Sequence, residues 1–301
     1  MQYISLQLSV PSKTFLLGEY IVLRGGPGLI LTTNPRFELY ASQHADENHA
    51  SALEIHADSP AGKLIKSDIF YHSYHITFQD PYQGLGGLGA SSAQFVMVFA
   101  LKNHILDQKI NDTEMLKKYL QVAWEGSGTP PSGADVIAQL HGKVCYFDSQ
   151  SKYHQTFAWP FETLQYCLIH THDKLATHTH LQQLNYQGDD EVLKRIVKQG
   201  IESLEENKAQ GFIESINQYG EALKQRNLVA SRTLAILNDL AKLPEILASK
   251  GCGAMGADII LILFDEQHLN KILTWLQKKQ LHIIQYGKDA AHGLEVKAMS
   301  I

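Results

Sequence analysis

An α+β chain, two-layered (two-layer α/β) and divided into two domains, is what this sequence predicts. Three observations carry that expectation. Runs rich in β-branched and aromatic residues alternate with runs of helical period. Glycine-rich turns punctuate the chain near its start, middle and end. Its 301 residues are 44% hydrophobic and 19% charged, with a formal net charge of −5, enough apolar material for two cores. The division is expected near residue 160, giving domains 1–160 and 161–301.

The same composition excludes several functions. A mildly acidic chain without a Lys/Arg-rich run lacks the electrostatic footprint of a nucleic-acid binder. A charged segment followed by an apolar signal core is missing at the start, and no apolar run approaches membrane-spanning length, so a cytoplasmic protein with no membrane partner is expected. Cys145, Cys167 and Cys252 are isolated and lack CxxC spacing, so they are expected to be reduced and mostly buried.

From the start, 3–8 alternates weakly as a first strand, and 10–23 places an apolar strand beside Lys13 and Glu19. Charges next to so apolar a run sit at a solvated strand end or are held for a purpose. Gly25-Gly26-Pro27-Gly28 is a turn, 29–33 and 37–41 are further strands, and 43–48 is a polar loop. Short strand-like runs at 53–56 and 74–78 flank a weakly helical 62–72.

Residues 82–93 form the most informative stretch: Tyr-Gln-Gly-Leu-Gly-Gly-Leu-Gly-Ala-Ser-Ser-Ala. Its glycines let backbone N–H groups approach a ligand, and its serines stand where a helix begins, so an anion such as phosphate suits it. The Walker A pattern fails, because no lysine follows the last glycine. The dinucleotide fingerprint matches literally at Gly84, Gly86 and Gly89, but the next acid, Asp107, falls at a helix end instead of ending a second strand. A plain glycine-rich turn remains the third reading. Beyond the loop, apolar residues from Ala93 to Ile105 cover every face of a helix, which predicts a buried one.

A second helix is expected over 112–125 with Asn111 or Thr113 as cap. Gly126–Gly133 is again rich in turn formers and leads into an apolar helix whose first turn holds Asp135, where the helix dipole favours a carboxylate in any case. Gly142 ends that helix and 143–147 is a strand. The second half offers a buried strand at 166–170 and helices over 190–207, 212–225 and 229–247. It continues with a third glycine-rich turn, Lys250-Gly251-Cys252-Gly253-Ala254-Met255-Gly256-Ala257-Asp258, a strand 259–264, a helix 267–278 and a strand 281–285. Two His-Thr-His triplets, 170–172 and 178–180, lack a matching carboxylate or cysteine and are read as a polar loop.

Together these turns resemble the GHMP kinase superfamily of small-molecule kinases. Pro11-Ser12-Lys13 with Leu17-Gly18-Glu19-Tyr20 resembles the family's first motif. Gly87-Leu88-Gly89-Ala90-Ser91-Ser92-Ala93 resembles its GLGSSA nucleotide loop, and Lys250 to Asp258 its KxxGAGGGD turn. Between them, Pro131-Ser132-Gly133-Ala134-Asp135 is similar to the segment bearing the catalytic aspartate. The resemblance implies an N-terminal domain like ribosomal protein S5 and a C-terminal ferredoxin-like domain.

It also implies roles. Gly87, Leu88, Gly89, Ala90, Ser91 and Ser92 would hold ATP, with Ser91, or Ser92 if the register shifts, on its Mg²⁺ and Glu125 as a second metal-binding carboxylate. Lys13 and Asp135 would be the catalytic pair, and Glu19, Tyr20, Ser132, Gly133, Lys174, Thr177, Gly253 and Ala254 would meet the acceptor. Ala90 replaces a serine of the family pattern, and Met255 and Ala257 replace glycines. Tyr20 in place of histidine, Asp135-Val136 and the closing Asp258 lean toward phosphomevalonate as acceptor over mevalonate, while the Pro-Pro-Ser-Gly approach to Asp135 pulls the other way. The expected partner is a small molecule, with the chain a monomer or homodimer. The altered third turn keeps a second class open, a non-catalytic ATP or metabolite sensor.

Overall fold

The computed structural model describes residues 5–43, 55–172 and 190–299. Expectations at 44–54 and 173–189, including Lys174, Thr177 and the triplet 178–180, lie outside them. The chain divides into two compact units. One comprises Met1–Lys13, Thr32–Lys143 and Ala291–Ile301; the other comprises Thr14–Leu31 and Val144–Ala290.

In the first unit, the N-terminal part of strand β1 (Ser5–Leu17) and the C-terminal part of β2 (Pro27–Ser42) lie in a sheet with β3 (His75–Gln79) and β10 (Glu295–Ala298). β10 pairs antiparallel with β1, Leu6 opposite Ala298 and Ser9 opposite Glu295, while β3 pairs with β2, Glu38 opposite Gln79. Alternation sends Leu6, Leu8 and Val10 inward with Phe37 and Leu39. Phe37 stacks on Phe78 at 5.8 Å and tilts against Tyr82 at 5.4 Å. Among the described residues the unit also holds the α-helices α1 (Pro60–Ser67), α2 (Ala90–Ile105), α3 (Asp112–Ala123) and α4 (Ala134–His141). α2 is the buried helix expected from its apolar faces, with Ala93, Phe95, Val96, Met97, Val98 and Leu101 enclosed.

In the second unit, the remaining part of the β1–β2 hairpin continues through β4 (Val144–Asp148) to β5 (His154–Phe157). A separate four-stranded antiparallel sheet holds β7 (Ile246–Cys252), β8 (Ile259–Asp265), β6 (Leu164–His170) and β9 (His282–Gly287) in that spatial order. Helices α5 (Asp190–Glu205), α6 (Ala209–Gln225) and α7 (Ser231–Leu240) lie between β6 and β7, and α8 (Leu269–Lys278) between β8 and β9. Numbered by sequence, the sheet order is 4-1-3-2 with helical crossovers after the first and third strands, which is the ferredoxin-like arrangement.

Several sequence expectations are corrected. β1 ends at Leu17, not 23, because Gly18 turns the chain at φ +98° and a short 3₁₀ turn, Ile21–Arg24, follows. The strands at 29–33 and 37–41 are one, β2, since the residues between them stay extended. Ile55 and His56 are not strand: the His56 carbonyl accepts the Ser59 N–H at 3.0 Å in the turn before α1. The helix expected to 247 stops at Leu240, ahead of Pro244, which cannot donate the amide a continuing helix needs. Lys250, Gly251 and Cys252 belong to β7, so the third turn begins at Gly253. The strand expected over 166–170 is borne out: His170 closes β6 and is 3% exposed, so the loop reading of the first His-Thr-His triplet does not extend to it. β5 and β10 were not expected at all.

Candidate active site

Three segments of the first unit converge on Lys13. It sits where β1 is fully inside, and its backbone N–H donates to the Leu88 carbonyl at 3.0 Å, fastening the strand to the glycine loop. The loop is held from below. Asp80 accepts from the Tyr82 and Gly84 amides, both at 2.8 Å, and the Tyr82 hydroxyl donates to the Pro35 carbonyl at 2.7 Å and contacts Ser12 Oγ at 2.9 Å. Burial pushes the Tyr82 phenol well above its usual pKa, which keeps it a donor.

The loop ends at Gly89, φ +91°, which caps α2 without any side-chain hydrogen bond. The first-turn amides of Ala90, Ser91 and Ser92 therefore open on a long buried helix, the arrangement that favours an anion. A side chain at Gly89 would not fit: a Cβ would lie 2.9 Å from Lys13 Cγ and 3.0 Å from Gln139 Nε2. The two serines differ. Ser92 is buried and its hydroxyl donates to the Gly89 carbonyl at 3.0 Å, whereas Ser91 is exposed.

Asp135 enters from the start of α4. Gly133 at φ +80° begins that helix, and Ser132 Oγ accepts from the Ala134 amide at 3.2 Å, so Asp135 stands in the first turn. Its Oδ2 lies 2.9 Å from Lys13 Nζ, with 33% of the aspartate side chain and 10% of the lysine exposed. Burial, and secondarily the charge of Asp135, hold the Tyr119 phenol above its ordinary pKa. Glu125, two residues beyond α3, is 82% exposed and pairs with Lys63 at 3.1 Å.

The second unit carries the remaining expected residues. Glu19 is 4% exposed and its Oε1 lies 2.5 Å from the Nζ of the fully buried Lys250. Lys250 also faces the Phe15 carbonyl at 3.4 Å, Cys252 Sγ at 3.6 Å and the ring of Tyr219 at 5.8 Å. Burial opposes its charge, but Cys252 and Glu19 outweigh that and raise its pKa. Tyr20, itself at φ +74°, accepts the Met255 amide at 2.6 Å on its hydroxyl, and Met255 takes φ +54°. Around that turn Thr233 donates to the Gly256 carbonyl at 2.9 Å and Thr171 to that of Ala257. Gly253 and Ala254 form its outer part.

No protein-family model matches this sequence, and no curated protein matches it. Solved structures do. The Streptococcus pneumoniae phosphomevalonate kinase aligns at TM-score 0.76 and 14% identity, over 95% of this chain and 99% of that one. A second structure of that enzyme, in complex with phosphomevalonate and AMPPNP, aligns at 0.73. The Methanococcus jannaschii mevalonate kinase gives 0.71 at 16% identity, over 94% and 98%. A Lactococcus lactis galactokinase complexed with galactose gives 0.75 at 10%, over 98% and 95%. This is the GHMP kinase fold.

Within that GHMP kinase fold, the departures noted in the sequence have a physical setting. Ala257 is completely buried, and Met255 adopts a left-handed conformation that a glycine would take without strain. Two groups escaped the sequence reading. Tyr219, whose hydroxyl donates to the Glu19 carbonyl at 2.7 Å, looks like one more apolar helix residue. Gln139 lies four residues after Asp135, so helical period alone could have placed it on the same face. Arg36 donates to the carbonyls of Ser9 and Gly293 and to Ser9 Oγ.

Proposed function

We propose that this chain is an ATP-dependent small-molecule kinase that transfers the terminal phosphoryl group of ATP to phosphomevalonate. The observation that carries the proposal is the Lys13–Asp135 contact of 2.9 Å near the accessible start of α2, which no side chain caps. Phosphoryl transfer asks little covalent chemistry of a protein; it asks for positioning and for charge to be offset. The amides of Gly87 to Ser92 would take the phosphates. The exposed Ser91 hydroxyl would hold Mg²⁺, which offsets phosphate charge when bound. Glu125, expected as a second carboxylate on the metal, has one oxygen paired with Lys63.

Lys13 would stabilise the attacking oxygen and Asp135 would orient the acceptor or accept its proton. The phosphomevalonate assignment is supported by Tyr20, the Asp135-Val136 pair and Asp258, and by the likeness to a structure that holds phosphomevalonate and AMPPNP. A coupled ADP-release assay over mevalonate, phosphomevalonate, homoserine and galactose tests it. Turnover with phosphomevalonate ahead of the rest is expected. Silence with all four despite ATP binding would overturn the enzyme reading in favour of a sensor, for which the commitment of the Met255 amide to Tyr20 is the supporting feature.

A further inference from the structure

Gln139 lies one turn after Asp135 on α4, and the proposed phosphoryl transfer gives it nothing to do. Its side chain is completely buried. The amide nitrogen donates to two main-chain oxygens from different segments, Pro11 at 2.9 Å and Gly89 at 3.1 Å. Pro11 precedes Lys13 by two residues on β1, and Gly89 begins α2. One side chain thus ties together the strand of Lys13, the end of the phosphate loop and the helix of Asp135.

The fit leaves no slack. A Cβ at Gly89 would touch both Gln139 Nε2 and the Lys13 stem, so the bare face of that glycine is where the amide and the lysine meet. The other end of the side chain is unusual. Gln139 Oε1 is buried without a hydrogen-bond partner, which is destabilising, and a methionine would fill the same volume without that defect. Stability alone does not account for a glutamine here; its two donors do.

We propose that Gln139 is a positioning residue: by holding β1, Gly89 and α4 in one register it sets the Lys13 ammonium against Asp135 at the mouth of the phosphate loop. Its consequence for turnover rests on the kinase reading above. Its consequence for Lys13 does not, and the test uses both.

The full-length chain and its Gln139→Met variant are treated with a limiting amine-acetylating reagent, and Lys13 modification is read by mass spectrometry against the other lysines. Asp135→Asn is the benchmark for a Lys13 that has lost its ion pair with Asp135. Gln139→Met is expected to acetylate at Lys13 several times faster than the parent, with the remaining lysines unchanged and Tm close to that of the parent. In the assay kcat should fall roughly tenfold to a hundredfold while KM for ATP moves far less, since misplacement of a reacting group acts on the chemical step. Gln139→Leu also removes the donors without burying a charge, and should behave like Gln139→Met; it decides the matter if the methionine variant does not fold. Parental Lys13 labelling in a folded variant would overturn the proposal. If the parent turns over none of the substrates, the kinase reading fails, while the labelling still decides whether Gln139 places Lys13.

Discussion

Lys250 brings a positive charge to a place with no exposure to solvent at all. Its ammonium survives there because Glu19 Oε1 is 2.5 Å away and the Phe15 carbonyl and Tyr219 ring surround the rest. Removing one member of a buried pair strands the other, which costs about 3–5 kcal/mol, whereas replacing both is much milder. Lys250→Met should therefore lose about that much stability in urea denaturation, and Glu19→Gln/Lys250→Met should regain most of it. Equal losses in the single and double variants would mean that the pair is not what holds this part of the unit. At Asp135 the expected effect is kinetic. A phosphate acceptor, with its second pKa near 6, is already largely ionised at neutral pH and needs a base less than a hydroxyl does. Asp135→Asn should lower kcat roughly tenfold to a hundredfold with phosphomevalonate and more with mevalonate. An unchanged rate with the true substrate would remove Asp135 from the mechanism. The Lys13–Asp135 contact was expected from the resemblance of the two segments to family motifs; a charge beside an apolar run and an acid at a helix start stand out in a linear pattern, but the pattern alone does not pair them. Lys250 was not legible as a strand residue: the small residues Ala248, Ser249 and Gly251 around it look like a turn, and only pairing with β8 makes them a strand.

Among the elements, the turn before α2 is held at Gly89 by its neighbours as well as by its backbone. Gly89 combines a left-handed backbone with two close neighbours, while Gly84, also left-handed at φ +84°, would place a Cβ in open space. Each substitution to alanine carries about 1–2 kcal/mol of backbone strain. Only Gly89→Ala also pushes on Lys13 and Gln139, so it should weaken ATP binding in a calorimetric titration far more than Gly84→Ala does. Similar affinities for the two would show that the Gly89 contacts are not needed by the nucleotide. The buried character of α2 was readable from apolar residues on all its faces. Strands β5 and β10 were not readable, because each is only 4 residues long with side chains that are half-buried or exposed, and the alternation of Glu295-Val296-Lys297-Ala298 is too short to stand out. The overextended helix at 229–247 shows the converse: apolar period continues across Pro244 into β7, and the proline, not the period, marks the end.

At the scale of the whole molecule, neither unit is a continuous piece of chain. The first is completed by its most distant segment. Ala291 donates to the Thr32 carbonyl at 2.9 Å, Leu294 to that of Leu140 at 2.9 Å, and Lys143 to that of Ala291 at 2.6 Å. Arg36 grips the Gly293 carbonyl at 2.5 Å and that of His292 at 2.8 Å. Gly142 is irreplaceable at this junction, since a Cβ there would fall 2.1 Å from Gly293 N. Deleting 291–301 should strip β1 of its outer partner and α4 of its brace, lowering Tm by roughly 10 °C or more. A truncated chain that melts like the parent would show that the segment only rests on the unit. Pairings between such distant residues leave no trace in local periodicity, which is why the sequence announced the elements here better than their partners.

That brace also orders events during synthesis. On the ribosome, β1, the glycine loop and α4 emerge early, yet the strand that flanks β1 and the carbonyls that occupy Arg36 are made only after residues 144–290. The nascent unit must wait through that interval with one edge of β1 unpaired and the C-terminal end of α4 unsupported, the condition in which a sheet edge invites misassembly or a chaperone. The helix that carries Asp135 is thus finished by a segment translated long after it.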